Sequence, residues 1–161
     1  MAQDRLGNMV TFAYEPLEFI LKTGLPDLCL ECWNHMDDGF YRDIFSPDWR
    51  MYKEQEDMNN LGFLSMREDE NLIGYAVVIV NRDIHQEGLK IAVIHDVYVK
   101  EEKRGYATEF FKYSQDFSRE LGAYRVDVAE RLSFDKERGG CGKFYEFLGF
   151  KPMEVIWSRV L

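Results

Sequence analysis

The sequence contains little cysteine and no long apolar run, and each shortage excludes a class of protein. Its 161 residues include three cysteines, an odd number that argues against a disulfide framework and favours a reducing compartment. The longest apolar stretches, such as residues 76–80, are too short to span a membrane, and no signal-sequence pattern opens the chain. We therefore predict one globular domain over residues 1–161, located in the cytoplasm.

Basic residues are also scarce relative to acidic ones. The chain has 20 lysines and arginines against 29 aspartates and glutamates, which gives a net charge of −9. Because nucleic acid phosphates are bound by clustered Lys and Arg, we expect no general nucleic acid binding. The acidic excess mildly favours a cationic partner such as an amine, although solubility alone explains it equally well. The oligomeric state is not readable, and a homodimer is compatible with the sequence.

Runs of β-branched and aromatic residues predict a sheet-based fold. The predicted strands lie near 10–14, 61–67, 72–80, 91–99, 124–129 and 150–160. The predicted helices lie near 16–23, 25–35, 47–58 and 141–148, with Ser46 expected to cap the third, and a further helix starts near 107 and ends at Gly122. A meander followed by alternating strands and helices indicates an α/β (α+β) fold. We expect a mixed, mostly antiparallel central sheet of six to seven strands with helices on both faces.

The stretch from Asp96 to Phe111 joins the end of a strand, a short charged turn with one glycine, and the start of a helix. The first N–H groups of a helix lack internal partners and carry partial positive charge, so they attract anions. A glycine in the turn lets a phosphate approach the backbone closely. The pattern therefore predicts an anion-binding turn, to which nearby lysines and arginines contribute.

Two blocks resemble the GNAT N-acetyltransferase superfamily. Glu102-Lys-Arg-Gly-Tyr-Ala107 is similar to its pyrophosphate loop, commonly Q/R-x-x-G-x-G/A, with Glu102 in place of the usual Gln or Arg. A register that puts Arg104 in the first slot is the alternative. The block Lys143-Phe-Tyr-Glu-Phe-Leu-Gly-Phe150 resembles the family's late F-Y-x-x-x-G-F motif. Asp96-Val-Tyr-Val99 is also similar to a pattern in GNAT sequences common in bacteriophage genomes, which would imply the host cytoplasm.

The resemblance implies an acetyl-CoA-dependent N-acetyltransferase that transfers acetyl to a primary amine by direct attack in a ternary complex. It implies that the sheet splays beside the central strand, whose free edge pairs with the pantetheine arm. The implied cofactor-binding residues are Val97, Tyr98, Val99, Glu102, Lys103, Arg104, Gly105, Tyr106, Ala107 and Thr108. The acceptor amine belongs to a small molecule, a protein lysine or a protein N-terminus.

The candidate catalytic residues are Tyr145 as acid and Asp96 or His95 as base, with Glu130 as a further candidate base. Tyr145 occupies the tyrosine of the late motif, and a phenol is a suitable donor to a thiolate, although it could merely pack its helix. Asp96 and His95 are polar residues in an otherwise apolar strand, where burial would raise the pKa of a carboxyl group. Purely structural hydrogen bonding, or catalysis through water alone, is the alternative.

Two alternatives to an acetyltransferase site are a metal site and a non-catalytic function. Cys29, Cys32 and His35 have side chains that bind zinc, but a closed site needs four ligands and only the distant Cys141 could add a thiol, so no metal is predicted. A GNAT fold that binds acyl-CoA or a protein partner as a non-catalytic regulator is the alternative function. Glu102 supports it, because an acid beside the pyrophosphate weakens binding.

Overall fold

The computed structural model describes residues 2–3, 9–35, 45–129 and 141–153. The chain divides into two compact units, Met1–Ala129 and Glu130–Leu161. A single domain over the whole chain stays a prediction. None of the helices in these described ranges is both long enough and apolar enough to cross a lipid bilayer.

The first unit is built on a six-stranded sheet in the order β1-β2-β3-β4-β5-β6. Its strands are β1 (Ala2–Gln3), β2 (Met9–Tyr14), β3 (Leu61–Glu68), β4 (Asn71–Arg82), β5 (Lys90–Val99) and β6 (Arg125–Val128). Pairing is antiparallel from β1 to β5 and parallel between β5 and β6, which confirms the predicted mixed, mostly antiparallel sheet. The predicted strand at 150–160 lies mostly outside the described residues, and residues 150–153 form no strand.

Helices cover both faces of this sheet, as predicted. They are α1 (Leu17–Lys22), α2 (Leu25–His35), α3 (Trp49–Asp57) and α4 (Ala107–Glu120), with a 3-10 helix at Glu101–Tyr106. On the α2 face, apolar residues of α1 and α2 bury against Phe63, Tyr75 and Val77, each such side chain contributing about 1.5–3 kcal/mol. On the α4 face, the rings of Phe12 and Phe110 lie 5.4 Å apart.

A buried ion pair fastens the start of α1 to β3. Arg67 donates from Nε to Oε1 of Glu15 at 2.7 Å and from Nη2 to Oε2 at 2.8 Å, and Nη2 also donates to Oγ1 of Thr23 at 2.6 Å. The buried Glu56 of α3 accepts the backbone N–H of Leu17 at 2.8 Å, which caps α1 from another helix. These charges are paired and hydrogen-bonded, as burial requires.

The predicted helix stop at Gly122 is confirmed. Gly122 has φ +84°, its N–H donates to the carbonyl of Arg119 at 2.9 Å, and the N–H of Ala123 donates to that of Ser118 at 3.1 Å. This is a Schellman ending, which favours glycine because the residue after the cap is left-handed. At the start of α3 the sequence interpretation was wrong, since the side chain of Asp48, and not Ser46, caps the helix.

In the second unit, the late F-Y-x-x-x-G-F block forms helix α5 (Gly142–Phe147) and its stop. Gly149 has φ +87° and its N–H donates to the carbonyl of Glu146 at 3.0 Å. The N–H of Phe150 donates to the carbonyl of Tyr145 at 2.9 Å, and the two rings lie 6.1 Å apart. The spacing of this block therefore has a structural cause, because a Schellman ending places an apolar residue against the third residue from the helix end.

Candidate active site

A β-bulge at His95 creates the most polar point of the central strand. Val77 of β4 lies opposite Asp96, but the next residue, Val78, lies opposite Ile94, so His95 is an extra residue in β5. Side chains alternate along a strand, and one extra residue turns the side chains of both His95 and Asp96 onto the α2 face. Nδ1 of His95 then lies 3.2 Å from Oδ2 of Asp96.

This pair has the geometry of a proton-accepting unit. In the tautomer that donates Nδ1–H to the Asp96 carboxylate, Nε2 is the nitrogen that accepts a proton. The His95 side chain is 53% exposed and that of Asp96 is 25% exposed, so a substrate can reach them. The structure thus brings together the two residues that the sequence offered as alternative bases.

Aromatic side chains from α3 stand over the same part of the sheet. Phe63, Val77 and Asp96 form one cross-strand row on the α2 face. The ring of Tyr52 lies 5.7 Å from that of Phe63, and the ring of Trp49 lies 5.6 Å from that of Tyr52. Burial, and then the negative charge of Asp96, raise the pKa of Tyr52, which places Tyr52 within electrostatic reach of that carboxylate.

The next row along the sheet holds two tyrosines and the thiols of α2. Tyr75 lies opposite Tyr98, and the Tyr75 hydroxyl is hydrogen-bonded with Cys29 and Cys32. Burial raises the pKa of Cys29 to about 12, so its sulfur stays a neutral thiol at physiological pH. Within the described part of the chain, no group of three or more His, Cys, Asp or Glu side chains could hold a metal ion.

Tyr98 is held by a contact that the sequence did not reveal. Its hydroxyl donates to Oε1 of Glu31 in α2 at 2.7 Å, and burial followed by this bond raises its pKa well above the usual range. The ring of His35 lies 5.9 Å from that of Tyr98. Tyr98 was predicted to bind the cofactor through its backbone, and its side chain fixes that backbone to α2. In the sequence, Glu31 is distinguished only as an acidic residue on a helix that has an apolar face.

Towards its C-terminal end, where the splay was predicted, the central strand has described pairing on one side. β6 pairs with β5 only from Ile91 to Ile94, so from His95 to Val99 the described pairing of β5 is with β4 alone. Alternate N–H groups of a strand point to each of its two neighbours. The segment Val97–Val99 therefore presents main-chain donors towards the gap, where an extended ligand can pair with them.

The turn after β5 ends in a helix start that has space in front of it. The N–H of Lys100 donates to the carbonyl of Ile73 at 3.0 Å, and the 3-10 helix leads into α4, whose cap residue Tyr106 makes no side-chain capping bond. A Cβ built on Gly105 meets no atom within 4 Å, and its φ lies outside the left-handed region. Gly105 is thus not required by the backbone conformation, and its missing side chain leaves open space.

The predicted phosphate-binding cations are paired with acids in this structure. Lys103 forms an ion pair with Glu68 at the end of β3, and Nη1 of Arg104 lies 3.9 Å from Oε1 of Glu101 on the surface. Residues 100–109 contain equal numbers of basic and acidic side chains, namely Lys100, Lys103 and Arg104 against Glu101, Glu102 and Glu109. Attraction for an anion at this turn therefore depends on main-chain N–H groups and on exchange of these ion pairs.

The remaining sequence-predicted residues lie in α4, in α5 or outside the described residues. Ala107 and Thr108 form the first turn of α4, with Tyr106 as its cap. Tyr145 is in α5 of the second unit, where its ring lies 6.0 Å from that of Phe144. Glu130 lies outside the described residues. His95, Asp96, the segment Val97–Val99 and the turn 100–106 follow one another along β5 and into α4.

Comparison with known proteins gives one family and many similar folds. The sequence profile of the Acetyltransferase (GNAT) family matches residues 29–150. No protein of curated function matches the sequence significantly.

Solved structures with the same fold act on different amines. An aminoglycoside acetyltransferase from an uncultured soil metagenomic sample has a TM-score of 0.72 at 16% identity, covering 94% of this chain and 96% of that one. Glucosamine-6-phosphate N-acetyltransferase from Arabidopsis thaliana has a TM-score of 0.69 at 14% identity, covering 94% and 98%. Ribosomal-protein-alanine N-acetyltransferase from Brucella melitensis biovar Abortus 2308 has a TM-score of 0.63 at 17% identity, covering 95% and 97%.

Proposed function

The chain belongs to the Acetyltransferase (GNAT) family, and from that premise we propose that it uses acetyl-CoA to acetylate a primary amine. The observation that carries the proposal is the end of β5, which has a β-bulge at His95 and, in the described part of the chain, pairs there with β4 alone. It places main-chain donors at Val97–Val99 directly beside the His95–Asp96 pair and ahead of the α4 start. The proposed setting is the cytoplasm, in keeping with the free thiols of the three cysteines. A bacteriophage origin, suggested by the pattern at 96–99, would make it the host cytoplasm.

The residues present fit acetyl-CoA. The open space beside Gly105 suits a diphosphate, because a phosphate needs close access to main-chain donors. The N–H of Ala107 already donates to the carbonyl of Arg104, so the proposed donors include N–H groups of the preceding turn. The edge of Val97–Val99 that has no partner among the described residues suits an extended amide-bearing arm such as pantetheine. When bound, acetyl-CoA supplies the acetyl thioester and a thiol leaving group. Lys103, which is paired with Glu68, would contact a phosphate by sharing or exchanging that partner.

The chain's own groups then have distinct roles in the proposed direct transfer within a ternary complex. Nε2 of His95 accepts the proton of the acceptor amine, while Asp96 holds the imidazole ring in position; such general base catalysis contributes about 10²–10⁴-fold. N–H groups of Val97–Val99 donate to the carbonyl oxygen as negative charge develops on it, an interaction worth about 3–4 kcal/mol in a dry site. Tyr145 donates a proton to the departing thiolate.

The acceptor is proposed to be a primary amine on a small molecule, a protein lysine or a protein N-terminus. The names of the solved relatives span these classes, from an aminoglycoside and an amino sugar phosphate to a ribosomal-protein alanine. The net charge of −9 agrees with a cationic acceptor and with the absence of nucleic acid from the proposed partners.

The test is to mix the purified protein with acetyl-CoA and a thiol reagent and to follow the release of coenzyme A with a panel of amines and peptides. We expect turnover with at least one amine and a product heavier by one acetyl group. Tyr145→Phe should lower kcat without changing the affinity for acetyl-CoA, and full activity would leave Tyr145 as a packing residue only. Tight binding of acetyl-CoA without turnover on any amine would favour the non-catalytic regulator instead.

A further inference from the structure

An aromatic pair beside Asp96 has no role in the proton transfers described above. Trp49 and Tyr52 lie one turn apart on α3, and both are only partly buried although they stand against the core. We propose that Asp96, Tyr52 and Trp49 form a cation-recognition site that selects the acceptor as an alkylammonium ion. This inference rests on the proposed function, because it names the substrate class of that site.

The geometry puts a carboxylate and two aromatic rings on one face. Asp96 lies at the end of the cross-strand row that begins at Phe63, and the Tyr52 ring packs 5.7 Å from the Phe63 ring. Asp96 lies opposite Val77, a residue of the core on this face, so its side chain is on the α2 side of the sheet. Oδ1 of Asp48 accepts the N–H of Met51 at 3.2 Å and so caps the start of α3, where Trp49 lies.

The chemistry of this group suits a cation. Ammonium groups bind the faces of Trp and Tyr within about 6 Å of the ring centre, and a neighbouring carboxylate adds a charge-assisted hydrogen bond. A second carboxylate, Glu31, lies on the same face and holds the Tyr98 hydroxyl. The guanidinium of Arg67, on β3, donates from Nε and Nη2 to the two carboxylate oxygens of Glu15, at 2.7 and 2.8 Å. Arg67 is therefore paired with Glu15. Asp96 holds His95 through Oδ2, which lies 3.2 Å from Nδ1, and Oδ1 remains to contact a ligand.

The test compares two small molecules of nearly the same shape, choline and its uncharged analogue 3,3-dimethyl-1-butanol. Neither requires acetyl transfer for its binding to be measured, so calorimetric titration of the intact protein is sufficient. We expect choline to bind about 3- to 30-fold more tightly than the alcohol, which corresponds to the usual strength of cation–π contacts.

Four variants separate the contributions. Tyr52→Leu and Trp49→Leu keep apolar bulk but remove the aromatic face, and each should reduce the preference for choline at least threefold. Asp96→Asn should reduce it by removing the charge. Tyr52→Phe is the matched control, because it keeps the ring and loses only the hydroxyl, and its preference should equal that of the wild type. Circular dichroism and Tm establish that each variant is folded.

Equal affinity for choline and the alcohol would overturn the inference, and so would a preference that survives both Trp49→Leu and Asp96→Asn. If Tyr52→Leu fails to fold, the other three variants still decide the question. The outcome is distinguishable from failure of the proposed function. A protein that acetylates amines but shows no choline preference refutes only the cation site, whereas a protein with the preference but without acetyl transfer refutes only the enzymatic proposal.

Discussion

Gly105 should be dispensable for folding and essential for coenzyme binding. It lies in the 3-10 helix before α4, its φ is ordinary for any residue, and an added Cβ would meet no atom within 4 Å. Gly105→Ala should therefore keep the native stability or raise it by about 0.4–1 kcal/mol, because alanine reduces the entropy of the unfolded chain. A glycine that the backbone does not need indicates that the space beside it has another use.

If the diphosphate of acetyl-CoA fills that space, a side chain at Gly105 must weaken binding. Gly105→Asp adds a negative charge as well as bulk. Two like unit charges about 5 Å apart repel by roughly 0.8 kcal/mol in water and roughly 3.3 kcal/mol at an effective dielectric constant of 20. The dissociation constant for coenzyme A should thus rise about 4- to 250-fold, with the larger value at low salt.

The assay is calorimetric titration with coenzyme A, together with urea unfolding of each variant. Asn81→Asp is the matched control, since it adds the same charge at an exposed position opposite Ile91, at the far end of β4. Val99 and Ile91 are about 25 Å apart along β5, which exceeds the screening length of about 10 Å. The reasoning is refuted if Gly105→Asp binds coenzyme A like the wild type, or if it loses stability and affinity together.

Three further predictions concern the core, the thiols and the base. Arg67→Met should lower the free energy of unfolding by about 3–5 kcal/mol in urea titrations, because it leaves the buried Glu15 carboxylate without its cation. Adding Glu15→Leu should restore most of that loss. Equal losses in the single and the double variant would contradict this prediction. Iodoacetamide at pH 8 should label the exposed Cys141 quickly and Cys29 only after denaturation, because burial raises the pKa of Cys29 to about 12. Rapid labelling of Cys29 in the native protein would contradict the raised pKa. Asp96→Asn should flatten the rising limb of the pH–rate profile with the best acceptor, because it removes the partner of His95, and an unaltered limb would exclude Asp96 from the base.

Most of the secondary structure was predictable because its causes are local. Alternating β-branched residues predicted β2 to β6 to within a few residues of the observed bounds, and the glycine at 122 predicted the end of α4. β1 was missed, since two residues are too few to show an alternating pattern. The cap of α3 was misassigned because Ser46 and Asp48 are both good N-cap residues, and only the backbone geometry distinguishes them.

The candidate site was only partly predictable, because much of it depends on contacts between distant parts of the chain. The turn at Gly105 could be located from a strand, a glycine and a helix start in succession. The bulge at His95 could not, because it is defined by the register of β5 against β4. Nor could the bond from Tyr98 to Glu31 or the ion pair between Lys103 and Glu68 be foreseen, since 67 and 35 positions separate these partners.

Amide hydrogen exchange with and without acetyl-CoA tests the proposed binding site most directly, because it reports on main-chain N–H groups one segment at a time. We predict that acetyl-CoA slows exchange in the peptides that cover residues 97–99 and 105–109, and leaves exchange in β2 and β3 unchanged. Protection confined to other segments, or no protection at saturating acetyl-CoA, would contradict the assignment of the cofactor to residues 97–99 of β5 and the start of α4.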